Sequence, residues 1–162
     1  MAGGTRPWGE GTLAARLRAA PHTLKRALCD PALFDGVGNV FSDEVLFHAR
    51  LSPVQRPANL GDEEVARLHA AASATLQAWI DRRRAEVGDG FPDEVTAFHP
   101  AMAVHGGRGE PCLACGSPIQ RIVHAENETN YCARCQTGGH LLKDRALSRL
   151  LKDDWPRSLD EL

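Results

Sequence analysis

The 162-residue sequence has no apolar run approaching the roughly 18 residues of a membrane-spanning helix. Its start, MAGGTRPWGEG, lacks the basic flank and apolar stretch of a signal peptide. Both absences point to a soluble, cytoplasmic protein with no membrane partner. Internal repeats and low-complexity tracts are missing, and the 15 Gly and 10 Pro are scattered, which excludes solenoid, fibrous and disordered classes. No Ser-His-Asp order and no phosphate-binding Gly-rich consensus occurs, and no two histidines stand at ligand spacing. His22, His48, His69, His99, His105, His124 and His140 therefore receive no catalytic role. A basic excess is also absent: the formal net charge is -2, which at first sight argues against nucleic acid as a partner.

What is present is an ordinary globular composition, 43% hydrophobic and 25% charged. That suffices for one modest core and a small appendage, not for two full domains. The charge is unevenly placed. Arg16, Arg18, Lys25 and Arg26 lie between Gly11 and Cys29 with no acidic residue among them, whereas Asp62, Glu63 and Glu64 cluster elsewhere. The first set is either a basic patch or the solvated face of a helix.

Apolar spacing predicts helices over most of the first 90 residues. Leu13 and Leu17, then Leu24, Ala27 and Leu28, recur at three and four, with Thr12 as N-cap and Pro21 in the first turn of the second helix. After the turn signal at Phe34-Asp-Gly-Val-Gly-Asn39, a stripe of Val40, Phe41, Val45, Leu46 and Ala49 runs until Pro53 and Pro57 stop it. Gly61-Asp-Glu-Glu opens a long helix with Val65, Leu68, Ala72, Leu76 and Ile80 on one face, ending before Gly88. Residues 91–110 read as a loop. From His140 helix returns, with Leu142, Ala146, Leu147, Leu150 and Leu151 on one face, until Trp155-Pro156 ends it.

Cys112-x2-Cys115 and Cys132-x2-Cys135, separated by 16 residues, have the spacing of a tetrahedral zinc site with two knuckles. Gly116 and Gly138 follow the knuckles where positive φ is needed, and Ile119, Arg121, Ile122 and Val123 between them pattern as a β-hairpin. Two disulfides are the competing reading, disfavoured by the absent secretory segment and the odd fifth cysteine. Four thiolates close the coordination sphere, so the one zinc is structural. Cys29, on an apolar face, reads as a buried small hydrophobe.

Thr23-Leu-Lys-Arg-Ala-Leu, Gly36-Val-Gly-Asn39-Val, Asp43-Glu44-Val-Leu-Phe-His-Ala-Arg50, Pro53, and Val104-His-Gly-Gly-Arg-Gly-Glu-Pro-Cys112 through Tyr131-Cys-Ala-Arg-Cys-Gln136 together resemble the C-terminal half of the formamidopyrimidine-DNA glycosylase and endonuclease VIII family, over about residues 12 to 137. The resemblance implies a mainly α fold, with a linker stub at 1–11, a helix–two-turn–helix domain at 12–100 and a four-Cys zinc-finger hairpin at 101–139, to which the apolar period adds a C-terminal amphipathic helix and tail at 140–162. It implies a partner as well, double-stranded DNA carrying a damaged base or abasic site. Gly36 and Gly38 would let backbone approach a phosphate at the helix start, Asn39 would add its amide, and Lys25 a second contact.

Two departures alter the expectation. Where the family places an Arg two residues before a Thr at the hairpin tip, this sequence has Asn127 before Thr129, leaving Arg121 and Arg134 as compensating cations. The family's nucleophile is the amine of an N-terminal Pro followed by Glu, and this chain begins Met1-Ala2-Gly3-Gly4. The expectation is thus the DNA-binding portion of a base-excision glycosylase and abasic-site lyase without its catalytic domain, with no catalytic residue assigned. The alternative is a non-enzymatic zinc adaptor for nucleic acid. Beyond Gln136 there are 26 further residues that the resemblance does not explain. Packing of their helix on the chain's own core is favoured over docking of a catalytic domain or protein partner.

Overall fold

A computed structural model describes residues 9–94, 98–124 and 127–162; for residues 145 and 146 it describes backbone alone. Ala146, expected on the apolar face of the last helix, and most of the expected N-terminal stub thus lie outside the described side chains. The elements in chain order are α1 (Glu10–Ala19), α2 (Leu24–Cys29), α3 (Gly38–Ala49), a 3-10 turn (Pro57–Asn59), α4 (Asp62–Val87), β1 (Gln120–His124), β2 (Asn127–Tyr131), α5 (Ala133–Thr137) and α6 (Arg145–Leu151), followed by 3-10 turns at Lys152–Asp154 and Leu159–Glu161. The mainly α class and the two-stranded hairpin are as expected. No described helix is long and apolar enough to cross a membrane.

The helices enclose one core of sixteen buried residues, with Leu13 and Leu17 of α1, Leu24, Ala27 and Leu28 of α2, and Val45, Leu46 and Ala49 of α3 packed on Val65, Leu68 and Ala72 of α4. Helix starts differ from the sequence reading. α1 begins at Glu10, where the Gly9 carbonyl accepts the Leu13 amide, so Thr12 lies inside the helix. α2 begins after Thr23, two residues beyond Pro21. α4 runs between Gly61, whose amide donates to the Glu64 carboxylate at 2.9 Å, and Gly88, as its acidic first turn predicts. Ile80, expected on its buried face, is 45% exposed, because the buried stripe continues through Thr75 and Trp79 instead.

Two smaller apolar clusters lie beyond. Phe47 of α3 reaches out to Val104, Cys112, Ile119 and Cys132, and Ile122, Tyr131 and Ala133 collect Leu141, Leu142 and Leu159. The second cluster corrects the reading of the C-terminal segment. Helix begins at Arg145, not His140, because the buried Asp144 carboxylate accepts the Leu147 amide while its other oxygen takes the Val123 amide of β1. What packs inward is Leu141, Leu142 and Leu159, not α6, whose Leu147 and Leu150 are exposed, the latter at 77%.

Tyr131, the single tyrosine, accepts the Leu142 amide at 2.8 Å and so ties this segment to the hairpin. Burial raises its phenol above the ordinary value, the Leu142 hydrogen bond opposing. A raised folded-state pKa means the neutral form stabilises the fold fully below the unfolded value of about 10, and that contribution is lost as pH climbs through the folded value. Alkaline titration should therefore show phenolate absorbance only above that unfolded value, together with loss of structure; ionisation at the free-tyrosine pH would show that the ring is not buried.

Candidate metal centre and nucleic-acid interface

The two-residue spacers turn both thiols of each knuckle to one point. Cys112 and Cys115 precede β1, Cys132 lies between β2 and α5, and Cys135 lies on α5. Their sulfurs all lie within 4.8 Å of one another, with Cys112 to Cys135 at 3.9 Å and Cys115 to Cys132 at 3.5 Å. A tetrahedron of Zn–S bonds of about 2.3 Å separates its sulfurs by roughly 3.8 Å, so the cage has the size of the ion. Gly116 at φ 75° and Gly138 at φ 61° close the knuckles as expected. Against a burial penalty, hydrogen bonds from Ser117 and the neighbouring thiols lower Cys115 to about 6, whereas burial and the adjacent sulfurs push Cys132 up to about 11 and raise Cys135 further. The Cys115 thiolate forms readily, whereas Cys132 and Cys135 need a cation to follow, which is the chemistry of a closed structural site.

The turn before α3 leaves its backbone open to solvent. Gly36 has φ 88° and Gly38 φ 62°, and a Cβ at either would meet nothing within 4 Å, so this backbone faces open space. Val37 at the N-cap supplies no side-chain acceptor, and the first amides of the helix stay uncapped. Among the described residues, the Asn39 side-chain amide has no hydrogen bond, while its carbonyl takes Lys25 Nζ at 2.7 Å and Ser42 Oγ at 2.8 Å. Lys25 itself is only 8% exposed, with its ammonium also 2.5 Å from Asp43 Oδ1. Its place is beneath the turn, supporting Asn39, rather than beside it on the surface. Cys29 is half-buried, not buried, its Sγ 3.2 Å from Ser42 Oγ in the same scaffold.

The expected basic patch is thinner than its sequence. Arg16 donates to the Leu33 carbonyl at 2.6 Å, Arg18 pairs with Asp62 at 2.7 Å, and Lys25 is internal, which leaves Arg26 exposed and, among the described residues, unpaired. At the hairpin, Asn127 is exposed opposite His124 at the tip end. Arg121 is exposed but lies 3.4 Å from Glu128, which offsets its charge. Arg134 donates to Ser117 Oγ beside the metal cage.

Three residues with no role in the sequence reading join the helices to the hairpin. The buried Glu44 carboxylate accepts the amides of Ala103 at 2.7 Å and of Val104 and His105 at 2.9 Å. Asp43 receives His105 Nδ1 and the Asn130 amide. Gln136 accepts the Cys132 amide at 2.8 Å and donates to the Leu51 carbonyl at 3.0 Å, tying a metal knuckle to the end of α3.

A family model described as the formamidopyrimidine-DNA glycosylase H2TH domain matches residues 7–89, just over half of the chain and all of α1 to α4. The chain belongs to the formamidopyrimidine-DNA glycosylase family. A second model, a zinc finger found in that glycosylase and in IleRS, matches residues 109–138 and encloses all four cysteines.

Among its relatives, an uncharacterized formamidopyrimidine-DNA glycosylase-like protein of Mycobacterium tuberculosis is 34% identical over 86% of this chain and 87% of its own length. The formamidopyrimidine-DNA glycosylase of Thermus thermophilus is 38% identical over 76% of this chain but only 48% of its own length. The chain therefore spans about half of the glycosylases it matches and most of the mycobacterial protein. The solved Thermus thermophilus structure superposes with a TM-score of 0.65 at 34% identity, covering 80% of this chain and 50% of that one. A Lactococcus lactis family enzyme in complex with abasic-site DNA gives 0.66 at 27% identity, with 80% and 48% covered. In this family setting the four cysteines hold a structural zinc ion. Neither family model extends to residues 139–162, where Leu141, Leu142 and Leu159 pack on the hairpin.

Proposed function

We propose that this chain binds duplex DNA through its backbone, as the damaged-DNA-binding portion of a base-excision glycosylase and abasic-site lyase acting on oxidised bases. The observation that carries the reading is the uncapped, open N-terminus of α3 at Gly38 with the free amide of Asn39. A phosphate there would meet the helix amides and the positive end of the macrodipole. Asn127 and Arg121 at the hairpin supply the second grip, weaker than a free arginine because Glu128 shares Arg121. Lys25 contributes from beneath, by holding the Asn39 carbonyl. Base removal and strand cleavage belong, on this reading, to a catalytic domain other than residues 9–162.

Binding is measured by fluorescence anisotropy on duplex DNA with an abasic site. If two or three exposed cations neutralise phosphates, affinity falls roughly ten- to fortyfold between 50 and 200 mM salt. Asn39→Ala lowers affinity about tenfold, the worth of one hydrogen bond to a charged group, without moving the melting temperature. A flat salt titration, or an Asn39→Ala chain that binds as tightly as the parent, would remove the phosphate site. A borohydride-trapped adduct with the chain alone would place the nucleophile within it.

The alternative reading, a zinc-containing adaptor without catalysis, draws on the extent of the match to the mycobacterial protein and on the exposed Leu147 and Leu150 of α6. The two readings part in trans. Added to the N-terminal catalytic domain of a family glycosylase, the chain restores nicking of abasic DNA under the first reading and not under the second.

A further inference from the structure

One buried carboxylate connects three separate parts of the fold. Asp43 is 1% exposed. Its Oδ1 lies 2.5 Å from Lys25 Nζ of α2, and that same ammonium donates to the Asn39 carbonyl in the first turn of α3. Its Oδ2 receives His105 Nδ1 at 2.8 Å from the loop before the metal site, and from β2 the Asn130 amide at 3.1 Å and side-chain Nδ2 at 3.4 Å. Asn130 stands two residues before the zinc ligand Cys132 and is 1% exposed.

A carboxylate taken out of water needs donors on both oxygens. Oδ1 has a donor from the helices alone, whereas Oδ2 takes two donors of Asn130 that arrive only with the zinc hairpin, beside His105 from the loop that leads into it. Without the docked hairpin Asp43 would lose both Asn130 donors and its cover from water, and its relaxation toward water would draw Lys25 with it and release the Asn39 carbonyl. Lys25 cannot hold both positions once the carboxylate has turned.

We infer that Asp43 is a positioning residue through which the zinc-organised hairpin sets the geometry of the Gly38–Asn39 turn, so that the turn holds a phosphate only when the hairpin is docked. The consequence for binding rests on the DNA reading above; the coupling itself does not.

The test uses the zinc-loaded full chain as wild type, as Asp43→Asn, and as the double variant Lys25→Met with Asp43→Asn. The double variant removes both buried charges together, a change that folds tolerate better than loss of one partner. Zinc content and far-UV dichroism are checked first. Residue-resolved hydrogen exchange by NMR then compares the amides of Ser42, Asp43 and Glu44, which close the first turn of α3, with those of α4. The expected result is one zinc per chain, exchange at least tenfold faster at residues 42–44, unchanged exchange in α4, and duplex affinity at least tenfold lower. Faster exchange spread evenly over the chain would reduce Asp43 to a stability residue and overturn the proposal. So would wild-type exchange at residues 42–44 in both variants. If the turn loosens as expected but even wild type fails to bind duplex, the coupling stands and the DNA reading falls.

Discussion

Chelation of zinc from the full chain is expected to unfold the segment from about residue 109 to 142 while α1 to α4 remain helical. The two clusters around the metal are small: Phe47, Val104, Cys112, Ile119 and Cys132 form one, and Ile122, Tyr131 and Ala133 with three half-buried leucines form the other. Two of the first cluster's five members are themselves zinc ligands. Apolar area on this scale cannot offset the ordering of some thirty residues at about 1–2 kcal/mol each for backbone alone. The metal must supply the difference, on the order of 10 kcal/mol or more. The sixteen-residue helical core includes no ligand and is expected to survive. Far-UV dichroism should lose little helix on chelation, while Tyr131 becomes exposed and titrates like a free phenol. A Tyr131 still buried in the metal-free chain would show that side-chain packing alone folds the hairpin. Because Cys132 and Cys135 are raised without a metal, uptake of zinc releases protons, and affinity for the ion weakens as pH falls.

Glu44→Gln is expected to destabilise the chain by about 3 kcal/mol, the second largest effect. The carboxylate accepts three amides from one loop, and a glutamine offers one oxygen where two were used. Its NH2 group must face an amide donor, so at least one charge-assisted hydrogen bond, about 1.5–3 kcal/mol, is lost outright and the rest lose their charge. For a chain of this size that corresponds to a melting temperature lowered by roughly 6–12 °C. Thermal and urea melts with zinc bound measure it. A shift below about 2 °C would mean that the 103–105 loop is held by Val104 in its apolar pocket and not by Glu44.

These two predictions differ in how far the sequence announces them. The zinc cage is local: a two-residue spacer fixes the geometry of each knuckle, so four cysteines suffice to read the site. The long helix α4 is equally readable, since its period, acidic start and terminal glycines agree. Glu44 and Asp43 are not. Their partners on the loop and hairpin lie 59 to 87 residues away, and an acidic pair in an amphipathic helix reads by default as solvated charge. A signal did exist: the pair interrupts the run Val40 to Phe47, and no Lys or Arg stands three or four residues away to share its charge. Lys25 misleads for the same reason, because only tertiary structure reveals that its charge is spent inside. The last helix shows a different failure. Leu141 and Leu142 fit its apolar period but serve as anchors on Tyr131, and the buried Asp144 starts the helix several residues later.

The separation of Asp43 and Glu44 from their partners also orders events during synthesis. All sixteen residues of the helical core lie within the first 72 positions, so that module can fold while the cysteines are still inside the ribosome. Until the hairpin arrives, its docking face presents Phe47 to water beside the Glu44 carboxylate, while Asp43 keeps Lys25 as its partner. A charge at that place opposes burial of the face against another chain, and it is withdrawn from solvent only when a sequence separation of 59 has been closed into a loop. The joint that stiffens the finished molecule thus guards the nascent one against aggregation.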